Sequence, residues 1–515
     1  MNNIQNNKRI AKNTLALYLR TFITMIVGLY TGRVLLQALG VENYGIYAVV
    51  GGIVSMCTMI TGTMSAAISR YITYALGKGD DKQLKSLFST TINAQILMSL
   101  LIVVVIEVVG IWFLNGKASI PEGRMEAANW VLHCSNVTLV INIVCTPFNA
   151  LIIAHEHMTV YAYMSIVDVT LKLGICFLLI AYGGDRLILF AFLHIAVALI
   201  VNPLYGWYCH RHFKEARYSL RVFDKRLLKE LSVFSGWNLL NGTSYTFATQ
   251  GVNMLVNVFF GVVFNASRNI AMQVNSAVQT FAGNFTMAFT PQITKNYAAG
   301  NYGYAFQLVN RGTKFTWFLM LMFIVPVFME SEMLLHLWLG KVPDLAPLFL
   351  RFAMFESLAV SSGTNLLKLI QADGRIKRNS FHTCIIVGLV FPLTWIAYAL
   401  GAPVWAAYAI FIATFIVQNM VRIYDIKQLT PFSGRQFLQA CLYPCVLVSV
   451  CSFILPSIIT WRMEQSVLRF FVNVIISVLW TGGCCFLLGL TKNERLFIME
   501  KAVQYYKRII HRDRF

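Results

Sequence analysis

Thr14-Leu-Ala-Leu-Tyr-Leu-Arg20 opens an apolar run that continues to Arg33-Val-Leu-Leu-Gln-Ala-Leu39; after Gly40-Val-Glu-Asn-Tyr-Gly-Ile-Tyr47, a second run leads to Ser69-Arg-Tyr-Ile-Thr73 and ends at Leu76-Gly-Lys-Gly-Asp80. Each run is long enough to span a bilayer, which takes about 20 apolar residues. The pair therefore reads as a transmembrane hairpin, with its turn at 39–47. It carries Arg20, Arg33 and Arg70. A guanidinium in hydrocarbon is costly, so each of the three is expected to face protein or a water-filled cavity, and each is a candidate site residue.

Displaced by 221 positions, the second half of this hairpin meets 261–300 without a gap. Gly40/Gly261, Val41/Val262, Ser55/Ser276, Gly62/Gly283, Ala67/Ala288, Ile72/Ile293, Thr73/Thr294 and Gly79/Gly300 are identical, and Thr63/Asn284, Ser65/Thr286 and Ser69/Thr290 exchange polar for polar. Glycines and hydroxyls in register along a whole helix indicate an internal repeat. Such a repeat in a membrane protein points to a transporter of two similar halves with the substrate site between them.

The bulk composition agrees. At 515 residues, 57% hydrophobic and 12% charged, the chain has too few charges to cover a soluble surface of its size. The net charge of +20 is spread among apolar runs rather than gathered on one polar face, which argues against nucleic acid. The first run follows Lys8, Arg9 and Lys12 but is too long for a signal peptide, so it reads as a retained helix. The eleven cysteines lie mostly in apolar runs without paired zinc spacing. Cys209-His-Arg-His212 and His155-Glu-His157 stand at helix ends beside polar loops, and neither reads as a metal site.

Apolar runs near 14–39, 45–68, 88–114, 128–153, 159–182, 187–208, 232–260, 268–290, 315–338, 348–370, 380–400, 404–424, 437–460 and 466–490 predict an all-α membrane protein of fourteen spans. The chain divides into an N-lobe at 1–208, an amphipathic linker at 209–231, a C-lobe at 232–425, two further helices over 426–490 and a basic tail at 491–515. Most of the 42 Lys and Arg fall in loops on one side of this scheme, which places both termini in the cytoplasm. Linker and tail read as anchors on the anionic inner leaflet.

Three spans are polar along one face: Asn238, Asn241, Thr246, Thr249, Asn253 and Asn257; Gln273, Ser276, Thr280 and Asn284; and Thr58, Thr61, Ser65 and Ser69. Interhelical hydrogen bonding accounts for isolated residues of this kind. Three stripes on repeat-related helices point instead to a hydrated cavity. Arg20 and Arg70 stand at its inner mouth, Arg33, Arg268 and Arg351 at the outer. Guanidinium forks suit phosphate oxygens, so the expected substrate is a phosphate-bearing anion, with Lys172, Asn253 and Asn284 as further contacts. Asp168 pairs with Lys172 four residues on, and Asp168 and Glu107 are the candidates for ion coupling; Glu330, Glu332 and Glu356 are weaker ones.

Arg33-Val-Leu-Leu-Gln-Ala-Leu-Gly-Val-Glu-Asn-Tyr-Gly-Ile-Tyr47, Ser69-Arg-Tyr-Ile-Thr73, Leu76-Gly-Lys-Gly-Asp80 and Thr290-Pro-Gln-Ile-Thr-Lys-Asn-Tyr-Ala-Ala-Gly-Asn301 resemble the polysaccharide export family of O-antigen flippases, within the multidrug/oligosaccharidyl-lipid/polysaccharide exporter superfamily. The resemblance implies two six-helix lobes plus two C-terminal helices, as in multidrug and toxin extrusion transporters. It implies movement of undecaprenyl-diphosphate-linked O-antigen, capsule or exopolysaccharide units across a bacterial inner membrane, beside the polymerase and glycosyltransferases of the pathway. It further implies lumenal arginines on the first, second and eighth helices, where Arg20, Arg70 and Arg268 stand. The extrusion pumps often carry an acid in the first helix, and none occurs here.

The reading is thus a monomeric, non-enzymatic flippase working by alternating access, with no cofactor or metal and with its coupling ion, sodium or proton, open. The alternatives are a cation-coupled drug exporter of the same fold and, from another class, a glycan polymerase or acyltransferase, which the short outer loops disfavour.

Overall fold

A computed structural model describes residues 2–116, 120, 122–219, 222–339, 342–343, 345–496 and 499–500. The side chains at 2–12, 29, 32–33, 36, 41–42, 44–45, 48–49, 52–53, 55–60, 81–82, 257, 262–263 and 265–266 also lie outside the description, as does most of the basic tail. Among the described residues all regular elements are helical. They are α1 (Asn2–Lys78), α2 (Asp81–Gly116), α3 (Met125–Ala154), α4 (Met158–Ala181), α5 (Arg186–His212), α6 (Lys225–Phe260), α7 (Val262–Ala298) and α8 (Tyr302–Met329). After them come α9 (Ser331–Leu339), α10 (Ala346–Asp373), α11 (Lys377–Gly388), α12 (Val390–Ala399), α13 (Ala406–Leu429), α14 (Gly434–Phe437), α15 (Tyr443–Arg462) and α16 (Val467–Cys484). In hydrocarbon each backbone N–H and C=O must be paired within the protein, and helices do this locally.

Nine helical stretches among the described residues are long and apolar enough to cross a membrane. The expected spans at 232–260, 268–290 and 348–370 fall on α6, α7 and α10, of 36, 37 and 28 residues, which are long enough but carry the polar stripes and charges that lower their hydropathy. The expected 39–47 turn takes a different form. Helix continues on both sides of a single non-helical residue, Gly40, at φ 77° and ψ 166°. Its repeat partner Gly261, at φ 93°, separates α6 from α7, and the second identical pair, Gly79 and Gly300, have φ 70° and 80°. L-residues avoid these angles, so the repeat conserves breakpoints as well as residue types.

The chain forms two compact units, one comprising 1–243, 287–305 and 368–380, the other 244–286, 306–367 and 381–515. In the first, α3 packs against α1, α2 and α5, and α4 against α1. Leu17, Met158 and Ala288, all fully buried, form a core with Ile153, Tyr161 and Met287 around them. Residues 213–219 and 222–224 include contacts to α2: Tyr218 donates to Asn93 Oδ1 at 2.6 Å, and the amides of Ser219 and Asp224 donate to Ser89 and Thr90. In the second unit, α12 packs on α13 and α15 on α16. Glu330 there accepts from Asn473 at 2.7 Å and from Arg469 at 3.1 Å.

Candidate functional site

In the first unit, charged, aromatic and carbonyl groups converge around Arg70. Its Nε donates to the Gln371 carbonyl at 2.9 Å and its Nη2 to Ala372 at 3.0 Å. These are carbonyls of the last turn of α10, which no amide of the helix can reach, and a cation there also meets the negative end of the helix dipole. α10 ends because Gly374 adopts φ 93°. A Cβ at Gly374 would collide with the Arg70 guanidinium, so glycine serves both the turn and the approach. Tyr71, Tyr74 and Phe234 lie 4.5, 5.0 and 5.4 Å from the guanidinium carbon.

Arg70 lines a cavity of about 700 Å3. Arg226, Lys229, Arg375 and Lys377 supply four further cations, and Glu230 is the one acid among the lining residues. Glu230 faces Arg226 at 3.3 Å, and Arg375 is held by Asp373 at 2.8 Å. Burial pushes the Asp373 carboxyl up, but hydrogen bonds from Arg375 and from Tyr297 outweigh it and hold the group below the usual carboxylate range. The excess is therefore positive, from Arg70, Lys229 and Lys377. Trp237 adds an aromatic wall, with Lys377 Nζ 5.9 Å from its ring. Convergent cations fit oxyanions, and indole and phenol faces fit the C–H faces of sugars.

The remaining predicted residues are dispersed. Arg20 does not join this cavity; its guanidinium lies 5.1 Å from the Tyr161 ring. Arg33 falls outside the residues whose side chains are described. Lys172 and Asp168 pair at 2.8 Å. Glu107 accepts from Asn136 at 2.9 Å and meets His133 Nδ1 at 2.8 Å. Arg351 donates to Ser331 at 2.9 Å and pairs with Glu332 at 3.1 Å.

In the second unit Arg268, 1% exposed, donates to the Asn253 side chain and to the Thr249 carbonyl, and lies over Tyr408. Of its stripe, Gln273, Ser276 and Thr280 are exposed, whereas Asn284 is buried. Asn238 and Asn241 bond Gln371 and Ser380 within the first unit, the interhelical role. His155 meets Glu215 at 2.5 Å and His157 meets Tyr208 at 2.8 Å.

Sequence reasoning missed Arg226, Lys229, Arg375 and Lys377 as site residues, because basic residues at helix ends also satisfy the positive-inside rule. The available signal was Trp237 inside a polar stripe, one helical face from Lys229 and Val233.

The polysaccharide biosynthesis protein family matches residues 10–332. The chain belongs to that family. It is similar to the membrane protein EpsK of Bacillus subtilis (strain 168), 18% identical over 496 residues that cover 93% of this chain and 95% of EpsK. Among solved structures it resembles a MOP-superfamily transporter from Pyrococcus furiosus, at 12% identity and TM-score 0.67, covering 81% of this chain and 94% of that one. It also resembles the Vibrio cholerae MATE transporter VcmN, at 14% identity and TM-score 0.63, covering 84% and 99%. These likenesses establish the MATE-like fold. The protein is a multi-pass membrane protein of the polysaccharide biosynthesis family.

Proposed function

We propose that this protein flips an undecaprenyl-diphosphate-linked oligosaccharide, an O-antigen, capsule or exopolysaccharide unit, from the inner to the outer leaflet of a bacterial inner membrane by alternating access. The observation that carries this reading is the cavity around Arg70. The charge asymmetry of the loops puts its lining segments, 70–87, 226–237 and 374–377, on the cytoplasmic side, where a lipid-linked precursor is made. The diphosphate meets Arg70, Lys229 and Lys377, the proximal sugar meets Tyr74 and Trp237, and the isoprenoid stays in lipid. The carbonyls of Gln371 and Ala372 take Nε and one Nη2 hydrogen of Arg70, which fixes the guanidinium plane and leaves Nη1 for a phosphate oxygen.

The test uses a strain lacking its own flippase and matched membrane levels of each variant, with surface glycan and retained lipid-linked precursor as readouts. Losing one charge-assisted contact costs about 1.5–3 kcal/mol, so Arg70→Gln is expected to weaken loading by roughly ten- to a hundredfold. Arg70→Lys keeps part of the activity and Arg70→Glu nearly none. Arg70 also caps α10, so Lys229→Gln/Lys377→Gln is the cleaner variant: both side chains are exposed, and the protein should keep its stability while accumulating precursor. Normal surface glycan from both the Arg70→Gln and the double variant would place the phosphate site elsewhere. Restored drug resistance without glycan would favour the exporter reading, which the MATE-like fold also accommodates.

A further inference from the structure

The segments 287–305 and 368–380 belong to the first unit, and the way 287–305 is held there carries a second role. α3 ends at Ala154, and Glu156 takes φ 64°, the left-handed position after a helix that glycine usually fills. The turn is closed by the Glu156 amide on the Ile153 carbonyl at 2.9 Å and the His157 amide on Ile152 at 3.0 Å. Glutamate is strained there. What it supplies is a fully buried carboxylate that accepts from Gln292 Nε2 at 2.6 Å and Lys295 Nζ at 3.0 Å.

Nearby, the end of α1 crosses the end of α7. A Cβ on Gly77 would stand 2.6 Å from the Lys295 carbonyl oxygen and 2.8 Å from the Ala298 Cβ. Ala298 is the residue 221 positions after Gly77, so the two copies of the repeat meet at equivalent positions. Contact this close needs a residue without a side chain on one of the two helices.

A contact meant only for stability is better made with apolar side chains, because desolvating a carboxylate and an ammonium offsets most of their attraction. A contact that must break and re-form has the opposite requirement: Glu156 and Lys295 regain hydration when they part, whereas separated apolar faces would not. We propose that Glu156, with Gln292 and Lys295, is a releasable latch that closes an inner gate where Gly77 and Ala298 cross, and that it opens once in each transport cycle. Glu156 is then a positioning residue that touches no substrate. The proposal rests on alternating access, as the flippase reading does, but not on which substrate is moved.

The experiment places Thr294→Cys, a position 3% exposed in the closed gate, in a full-length background free of native cysteines. Inside-out membrane vesicles are treated with a membrane-impermeant maleimide. Glu156→Gly deletes the carboxylate at a backbone position that glycine favours, so its thermal midpoint in detergent should fall less than that of Glu156→Ala, yet labelling at 294 should rise roughly tenfold in both, as loss of a charge-assisted contact predicts. The exchange Glu156→Lys/Lys295→Glu should return labelling toward the parent rate, which a packing role would not predict. Gly77→Ala, which leaves every latch residue in place, should also raise labelling by wedging the crossing. Unchanged labelling in Glu156→Gly, or no recovery in the exchange, overturns the latch. If instead the parent protein restores no surface glycan, the flippase reading falls while the labelling results stand.

Discussion

Single residues here divide by what their charge meets. Arg70 faces carbonyls, aromatic rings and a cavity, with no carboxylate within ion-pair distance among the described residues, whereas Arg351 is matched by Glu332 and Lys172 by Asp168. Arg268 is different again: it is nearly fully buried and donates to the Asn253 side chain and the Thr249 carbonyl. Removing a buried cation leaves its hydrogen-bond acceptors unsatisfied, at a cost of about 1–3 kcal/mol. Arg268→Ala is therefore expected to lower the thermal midpoint in detergent strongly. Arg268→Ala/Asn253→Leu should recover part of that loss, with a coupling of about 0.5–3 kcal/mol in a double-mutant cycle. Strict additivity would show that the two residues do not act together, and would return Arg268 to the list of free substrate contacts.

At the scale of elements, the glycines separate two kinds of constraint. Gly40, Gly79, Gly261 and Gly300 have positive φ and open space around a would-be Cβ, so alanine there meets only the backbone penalty, about 1–2 kcal/mol. Gly77 has helical backbone and no space. Alanine at the first four positions should thus give similar, modest falls in thermal midpoint with transport largely kept, while Gly77→Ala should depress export more than stability; equal behaviour of all five would dissolve the distinction. The helical class was legible in the sequence because helical periodicity is a local property, and two of the identities at fixed offset, Gly40/Gly261 and Gly79/Gly300, fall on positive-φ residues. The single-residue break at Gly40 was not, since Val-Glu-Asn-Tyr-Gly reads equally as a polar turn or as a helix start. Nor was the partnership of Glu156 with Lys295, because two residues 139 positions apart leave no periodic signal.

Across the whole molecule, the orientation in the membrane decides what the Arg70 cavity can do. The orientation expected for it comes from charge alone: 70–85 holds Arg70, Lys78, Lys82 and Lys85, and 211–229 holds seven Lys and Arg, whereas 115–127 holds Lys117 and Arg124. Short loops rich in Lys and Arg resist translocation. The pairing of Arg124 with Asp185 at 2.6 Å, with Nε on Asn43 at 2.9 Å, ties together three positions in the segments that this rule leaves outside. The cations of the cavity all come from loops that it leaves inside. Reporter fusions test the assignment: one after Lys225 is expected to be active as a cytoplasmic marker and one at Gly123 as a periplasmic marker. A periplasmic result at Lys225 would put the five cations on the outer face, where a lipid-linked precursor arrives only after transport. The cavity would then be a release site, and Lys229→Gln/Lys377→Gln should slow the appearance of surface glycan without retaining precursor on the inner leaflet.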